Sequence, residues 1–347
     1  MYKRQFYSHE IAHGYIYRSE GIKTSKFDWS DWSHGVPAYN TQTTLDVFSS
    51  PYETYTNLIK MYGSAEKINI RYVHICESGL YQQRLNAILI SHLNALNREI
   101  NINNAILYLT NQFADFVYVL FGSKHTIITD YGEFFIIKGN DITRYIHTMN
   151  IAFGIPITSE SWLIASTISD LLSYNTFSSL LAISRYIFNA EESIGLLTLE
   201  INKHLSITPP NFYLFPSIKG LYLETETFLD FGQNGCFVSF GTGLETFGFK
   251  KTSNVDRLRI GGKYHSLNIP LKILKLSISP FAYLNFNRQF TYKGESIGIE
   301  AKLSNSSRFS LFSRLEYNKD DMIEQVIKLS LIHISEPTRL GMISYAV

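Results

Sequence analysis

Cysteine is nearly absent from this chain. Two thiols, Cys76 and Cys236, stand far apart among 347 residues. They form no CxxC pair and no disulfide framework, and nothing in the sequence supports a bridge between them. Net charge is lacking too: 31 Lys and Arg against 30 Asp and Glu leave +1, so no nucleic-acid footprint is visible. Charge of either sign is scarce, at 18% of residues against an ordinary quarter. Long apolar runs are missing as well. A membrane helix needs about 20 apolar residues, and the best stretch, 104–121, is interrupted by Asn111, Gln112 and Asp115. A mean hydropathy of -0.04 excludes a chain made wholly of such spans. No phosphate-loop glycine pattern occurs: Gly241-Thr242-Gly243 with Gly248 misses the spacing. Ser-His-Asp catalysis has no local support.

What the chain does hold is aromatic: 14% of residues, with 23 Tyr and 24 Phe. Many aromatics with few charges suit a membrane-associated or cell-envelope protein. Both ends resemble translated sequencing adapter, over 1–5 and over 329–347. Such segments are left out of fold reasoning, so His333, Glu336 and Pro337 carry no functional reading.

The chain changes character near Leu205 to Asn211, where Pro209-Pro210 cannot continue a helix. Before it, apolar residues fall at helical spacing. Ser8–Glu20 reads as a helix that Gly21 ends. Trp29–Ser50 reads as loop or short strands. Leu80–Leu96 carries a stripe of Leu85, Ile88, Leu89 and Leu96. Residues 104–121 read as one further helix, and Ile157–Phe188 as one or two. These helices are either buried core or membrane helices packed on each other. After the prolines, short runs alternate. Leu274–Ser279 and Ile297–Leu303 alternate strictly, and Asn305-Ser306-Ser307 turns the chain back into Phe309–Tyr317, a β-hairpin. Phe237–Phe249 mixes Gly with Phe as barrel strands do. Outer-membrane barrel hairpins have this pattern, and a periplasmic antiparallel sheet or sandwich shares it.

His9-Glu10-Ile11-Ala12-His13 is an HExxH sequence. Histidines four apart share one helix face and can bind one Zn²⁺. Glu10 reaches the metal-bound water, whose pKa the metal lowers towards about 7, and takes its proton. The hydroxide attacks a peptide carbonyl polarised by the same ion. Chance gives such a motif in roughly 1% of chains of this make-up. No Pro or Gly lies between the histidines.

The stretch His9 to Lys23, ending Arg18-Ser19-Glu20-Gly21-Ile22-Lys23, resembles the start of the site-2 protease family, intramembrane zinc metallopeptidases. Phe27, Trp29 and Trp32 sit where that family's aromatic segment falls. The resemblance covers about 25 residues. A weaker echo is Glu77 to Ala87, similar to the family's Gly-containing helix start with an inward Asn, without its usual Pro. The resemblance implies an Asp as third ligand in an Asp-Gly context, and no Asp-Gly occurs here. Asp141, after Asn140, is the nearest analogue, with Asp170 and Asp115 as rivals because a carboxylate in an apolar helix needs a partner or a metal. A general zincin site would instead draw on Glu77, His74 or His34. His92, His125 and His147 read as structural.

The expected fold is therefore α+β. A helical metallopeptidase-like domain over 6–205, truncated at its N-terminus, precedes an antiparallel β-rich, barrel-like domain over 206–328. The expected function is zinc-dependent peptide hydrolysis, with His9, His13 and Asp141 on the metal and Glu10 as general base. Its substrate would be a peptide or membrane protein, and it would sit at a membrane of the bacterial cell envelope. The alternative is a non-enzymatic envelope or outer-membrane β protein with a degenerate metal motif. Site-2 proteases sit in inner membranes and β-barrels in outer ones, so the two halves pull the location apart. The zinc chemistry is assigned to the full-length parent, and this chain alone is expected to bind zinc poorly.

Overall fold

The computed structural model describes residues 59–60, 63–122, 127–130, 135–138, 140–231, 235–247, 249, 258–265, 267–271, 274–287, 289–305, 310–320 and 323–334. The fold is α+β, helices first and mostly antiparallel strands after.

Helix α1, Ala65–Asn97, starts at Ser64, whose hydroxyl accepts from the Lys67 amide at 3.3 Å. It ends at Arg98, held in the left-handed region at φ 54. Gly79, expected to open a helix, lies well inside α1. The strand β1, Glu99–Asn101, leads into α2, Ile102–Gln112, capped by the Asn101 side chain. Helix α3 is Ala114–Gly122. The single helix expected over 104–121 is thus two helices, parted at Phe113. The hairpin β2, Ile127–Asp130, with β3, Phe135–Lys138, follows. Helix α4, Asp141–Phe153, is capped by Asn140 and closed by Gly154 at φ 63, a conformation glycine adopts freely. A capping box between Thr158 and Ser161 starts α5, Ser159–Leu172. Ser173 takes an extended ψ of 124 and separates α5 from α6, Tyr174–Asn189. No helix among the described residues is long and apolar enough to cross a membrane.

The strands are β4, Ser193–Gly195; β5, Leu199–Asn202; β6, Leu205–Ile207; β7, Asn211–Ser217; and β8, Gly220–Asp230. Then come β9, Gly235–Gly243; β10, Leu258–His265; β11, Leu267–Leu271; β12, Leu274–Phe286; β13, Tyr292–Asn305; β14, Ser310–Asp320; and β15, Ile323–Ile334. Strand β4 pairs β1. The main sheet runs β15-β14-β13-β12-β10-β9-β8-β6-β5 as an open order, with β11 also on β12 and β7 on β8. The expected hairpin is present, with Ile297 opposite Tyr317 and Ser304 opposite Ser310. Strand β9 stops at Gly243 and a 3₁₀ turn, Leu244–Phe247, follows, so 237–249 is only in part a strand. Pro280 sits where β12 changes partner from β11 to β10, a place that loses little by its missing N–H.

Two compact units result, and the chain passes between them several times. The first holds 1–195, 211–224 and 242–255; the second holds 196–210, 225–241 and 256–347. In the first, an apolar core gathers Val73, Cys76 and Leu80 of α1, Ile142, Tyr145, Ile146 and Met149 of α4, and Trp162 of α5, with Leu214 of β7. The Tyr145 hydroxyl donates to the Ser217 carbonyl at 2.5 Å and ties α4 to β7. Both cysteines are free thiols.

Candidate functional site

His9, Glu10, His13 and His34 lie outside the described residues, as do Phe27, Trp29, Trp32 and His125. Asp141 is the first residue of α4, half-buried, where the helix N-terminus favours a carboxylate. Burial raises the pKa of the nearby Cys76 thiol, and the Asp141 charge adds to that rise. No group of three His, Cys, Asp or Glu side chains converges to hold a metal among the described residues. His74 and Glu77 pair with each other, Nδ1 to Oε1 at 2.8 Å, one turn apart on α1. His92 is buried, and burial lowers the pKa of half-buried His147.

Asp115 and Asp170 have a different partner. The inward stripe of α1 continues from Leu80 to Arg84, which is fully buried. Its Nη2 donates to Asp115 Oδ2 of α3 at 2.9 Å, and its Nη1 to Asp170 Oδ1 of α5 at 3.1 Å. Nη1 also donates to the Gln112 carbonyl that ends α2. The Gln112 side-chain amide donates to Asp170 Oδ1 at 2.9 Å and to the Phe212 carbonyl of β7 at 3.0 Å. Trp162 Nε1 donates to Asp115 Oδ2 at 3.4 Å. Ser166 and Ser169 hydroxyls donate to Asp170. The guanidinium therefore supplies the partner that each carboxylate requires in an apolar helix. The polarity also accounts for the break at Phe113: Gln112 and Asp115 flank it and both turn to this cluster.

The balance is unequal. Two carboxylates share one cation, and all three side chains are wholly inaccessible. Asp115 Oδ1, Gln112 Oε1 and Arg84 Nε have no hydrogen-bond partner. Burial pushes the Asp170 carboxyl up to about 7, and Asp115 adds to the push, while Arg84 opposes it. For Arg84 burial works against the charge, but Asp115 and Asp170 outweigh it and hold the proton more firmly than usual.

Beyond Arg84 the same face of α1 stays polar. Asn175 of α6 donates to Ser91 at 2.5 Å, Asn211 of β7 donates to Ser91 at 3.0 Å, and Asn104 of α2 donates to Asn94 at 3.0 Å. The buried face of α6 is Tyr174, Asn175, Thr176, Ser178, Ser179 and Ala182. Its exposed face is Phe177, Leu180, Leu181, Ile187 and Phe188, and α5 exposes Ile164, Ile168, Leu171 and Leu172. Over 161–184 the only charged residue is Asp170, which is buried and paired.

No protein-family model matches the chain, and no curated protein or solved structure proved similar to it.

In the second unit one side of the sheet buries polar side chains together with aromatic rings, and the other side is largely apolar and open. Along β12 the buried side chains are Ser277, Ser279, Phe281, Tyr283 and Asn285, and the alternate positions are Leu276, Ile278, Pro280, Ala282, Leu284 and Phe286. Along β13, Ser296 and Glu300 are buried, whereas Ile297 is 53% and Ile299 48% exposed. Register makes the apolar side continuous: Ile260 opposes Leu284, Ala282 opposes Ile297, Ile297 opposes Tyr317, and Ile299 opposes Leu315. The buried side carries an ion pair, Lys263 Nζ to Glu300 Oε2 at 2.6 Å, both under 5% exposed. The Arg259 guanidinium lies over the Tyr283 ring at 3.8 Å. Glycines admit the rings on this side. A Cβ at Gly298 would overlap the Phe281 ring and the Leu315 carbonyl, and one at Gly261 would overlap Tyr283.

Sequence reasoning missed Arg84, Lys263 and Glu300. Arg84 had one signal, a cation spaced between Leu80 and Ala87; of the stripe read from the sequence, Leu89 is buried and Leu85, Ile88 and Leu96 are half-buried. The strand pattern was visible, but alternation alone does not say which side is covered.

Proposed function

We propose that this chain is a cell-envelope protein whose β unit is seated in a lipid bilayer by its strands. The observation that carries this is the alternation of β12, where Ser277, Ser279 and Asn285 are buried beside the aromatic Phe281 and Tyr283, while the alternate side chains from Leu276 to Phe286 are apolar and exposed or half-buried. In water a half-buried strand does the opposite, and a sandwich buries its apolar face. Strands facing lipid on one side and a polar interior on the other have this pattern. The dimensions agree. Leu276 to Phe286 covers about 33 Å at roughly 3.3 Å per residue, or about 25 Å when tilted by about 40°, the height of a membrane barrel's apolar band. Aromatic Phe286, Phe290 and Tyr292 gather at one end of the β12–β13 hairpin, and Phe286 packs edge-on to Tyr292. Within the first unit, α5 and α6 also turn apolar side chains outward, with 14 and 16 residues each. Among the described residues the sheet is open, from β15 to β5, so the proposal rests on its apolar side and not on closure.

The test is insertion. The full chain, refolded with phosphatidylcholine vesicles, is expected to float with them and to resist a carbonate wash. Leu284→Lys with Ile299→Lys is expected to lower that fraction sharply. A monomer that stays in the aqueous phase with both apolar residues intact would contradict the reading.

A second reading rests on a separate observation, His9-Glu10-Ile11-Ala12-His13. It supports zinc peptidase chemistry, with Glu10 as base and Asp141 as the proposed third ligand. On this reading one zinc per chain is expected. It should be lost in His9→Ala with His13→Ala and kept in Glu10→Gln, which should lose peptide hydrolysis. Hydrolysis that survives Glu10→Gln would remove this reading.

A further inference from the structure

We propose that Arg84, Asp115 and Asp170 form a proton-operated latch in the helical unit. One proton on Asp170 lets the cluster hold α5 against α1 and α2. Its loss leaves two anions on one guanidinium and loosens that junction.

The geometry sets this up. The cluster joins four helices and β7 through one cation, so a change at Asp170 reaches all of them. The charged and titratable groups facing Asp170 among the described residues are Arg84 from α1, Tyr108 from α2 and Asp115 from α3. Ser173 and the Phe212 carbonyl complete the junction with uncharged groups, the hydroxyl donating to that carbonyl at 2.8 Å. With both carboxyls ionised the buried cluster is a net anion, and desolvation disfavours that state strongly. Neutralising Asp170 leaves a balanced Arg84–Asp115 pair, already joined at 2.9 Å. The protonated carboxyl keeps acceptor capacity for Gln112 and gains one donor. Asp115 Oδ1 and Gln112 Oε1 are buried acceptors without partners and Arg84 Nε is one buried donor without a partner, so unpaired acceptors outnumber unpaired donors in the cluster. Either proton assignment on the coupled pair gives the same net charge.

The sign follows from linkage. An ordinary Asp titrates near about 3.9, and burial raises Asp170 to about 7. The folded state therefore binds this proton more tightly than the unfolded one. The stabilisation is complete below about 4 and fades as pH rises through about 7.

Thermal unfolding of the full chain would be followed by Trp162 emission, with Trp29→Phe and Trp32→Phe so that only Trp162 reports. From about pH 5 to about pH 8 the midpoint is expected to fall by several degrees more than in Asp170→Asn, which mimics the neutral acid. Asp115→Asn leaves Arg84 to Asp170 alone and should remove the near-neutral step. If Asp170→Asn does not fold, Asp115→Asn and the infrared carbonyl band of a buried carboxylic acid decide. That band should grow in the parent chain as pH falls through neutrality and should be missing in Asp115→Asn over the same range. Parallel pH profiles in the parent and either variant that folds would overturn the latch, and so would the absence of the band. None of these readouts depends on bilayer insertion.

Discussion

Arg84 is the residue on which the first unit turns. Replacing it with Leu leaves Asp115 and Asp170 buried without a cation. Loss of one partner from a buried pair costs about 3–5 kcal/mol, so Arg84→Leu should lower the urea midpoint of the Trp162 transition by a corresponding amount. A change within error would mean that the cluster is hydrated. Gly298 is a second test. A methyl there meets the Phe281 ring and the Leu315 carbonyl at once, so Gly298→Ala should reduce refolding of the β unit, read by far-ultraviolet circular dichroism. At this scale the sequence said little. Asp115 and Asp170 stood out as carboxylates in apolar helices, but their partner lay 31 and 86 residues away. A pairing over such separations is a product of packing and leaves no local mark.

Elements were more legible. The β13–β14 hairpin was readable because alternation and a polar turn are local. The length of α1 was not: its first half, Ala65–Gly79, mixes Lys67, Asn69 and Arg71 with scattered apolar residues, and tertiary packing of Val73 and Cys76 fixes it as helix. The breaks at Phe113 and Ser173 were only partly visible, since neither holds a proline or glycine. Each break instead answers a hydrogen-bonding demand: Gln112 turns its amide to Asp170, and Ser173 bridges to Phe212 of β7. The element-scale expectation concerns β13. A Lys at Ile299 should destabilise the membrane-inserted state by roughly 2–4 kcal/mol, the range for a cation on a lipid face at mid-depth. The same Lys at an exposed strand position in water should change stability by only a few tenths of that. Equilibrium folding into vesicles separates the two.

For the whole molecule, apolar side chains divide between two places: the first unit keeps an apolar core, and further apolar rows lie outward on its α5 and α6 and on the sheet of the second unit. Serine, asparagine and ion pairs are buried, and Ile, Leu and Phe are turned outward on β10, β12, β13 and on α5 and α6. The composition pointed to the envelope, yet neither hydropathy nor alternation identifies the covered side. That needs coordinates. The HExxH motif remains a sequence observation and keeps its own tests in zinc content and Glu10→Gln. The central claim is that the apolar side of the sheet meets lipid. It is tested most directly by a spin-label scan along β12, one cysteine at a time from Leu276 to Phe286, in a chain with Cys76 and Cys236 replaced and reconstituted in vesicles. Collisions with lipid-soluble oxygen should peak at 276, 278, 280, 282, 284 and 286 and fall between them. A polar nickel chelate should be excluded from those same positions. High chelate accessibility at 278, 282 and 284 would place that side in water and contradict the account.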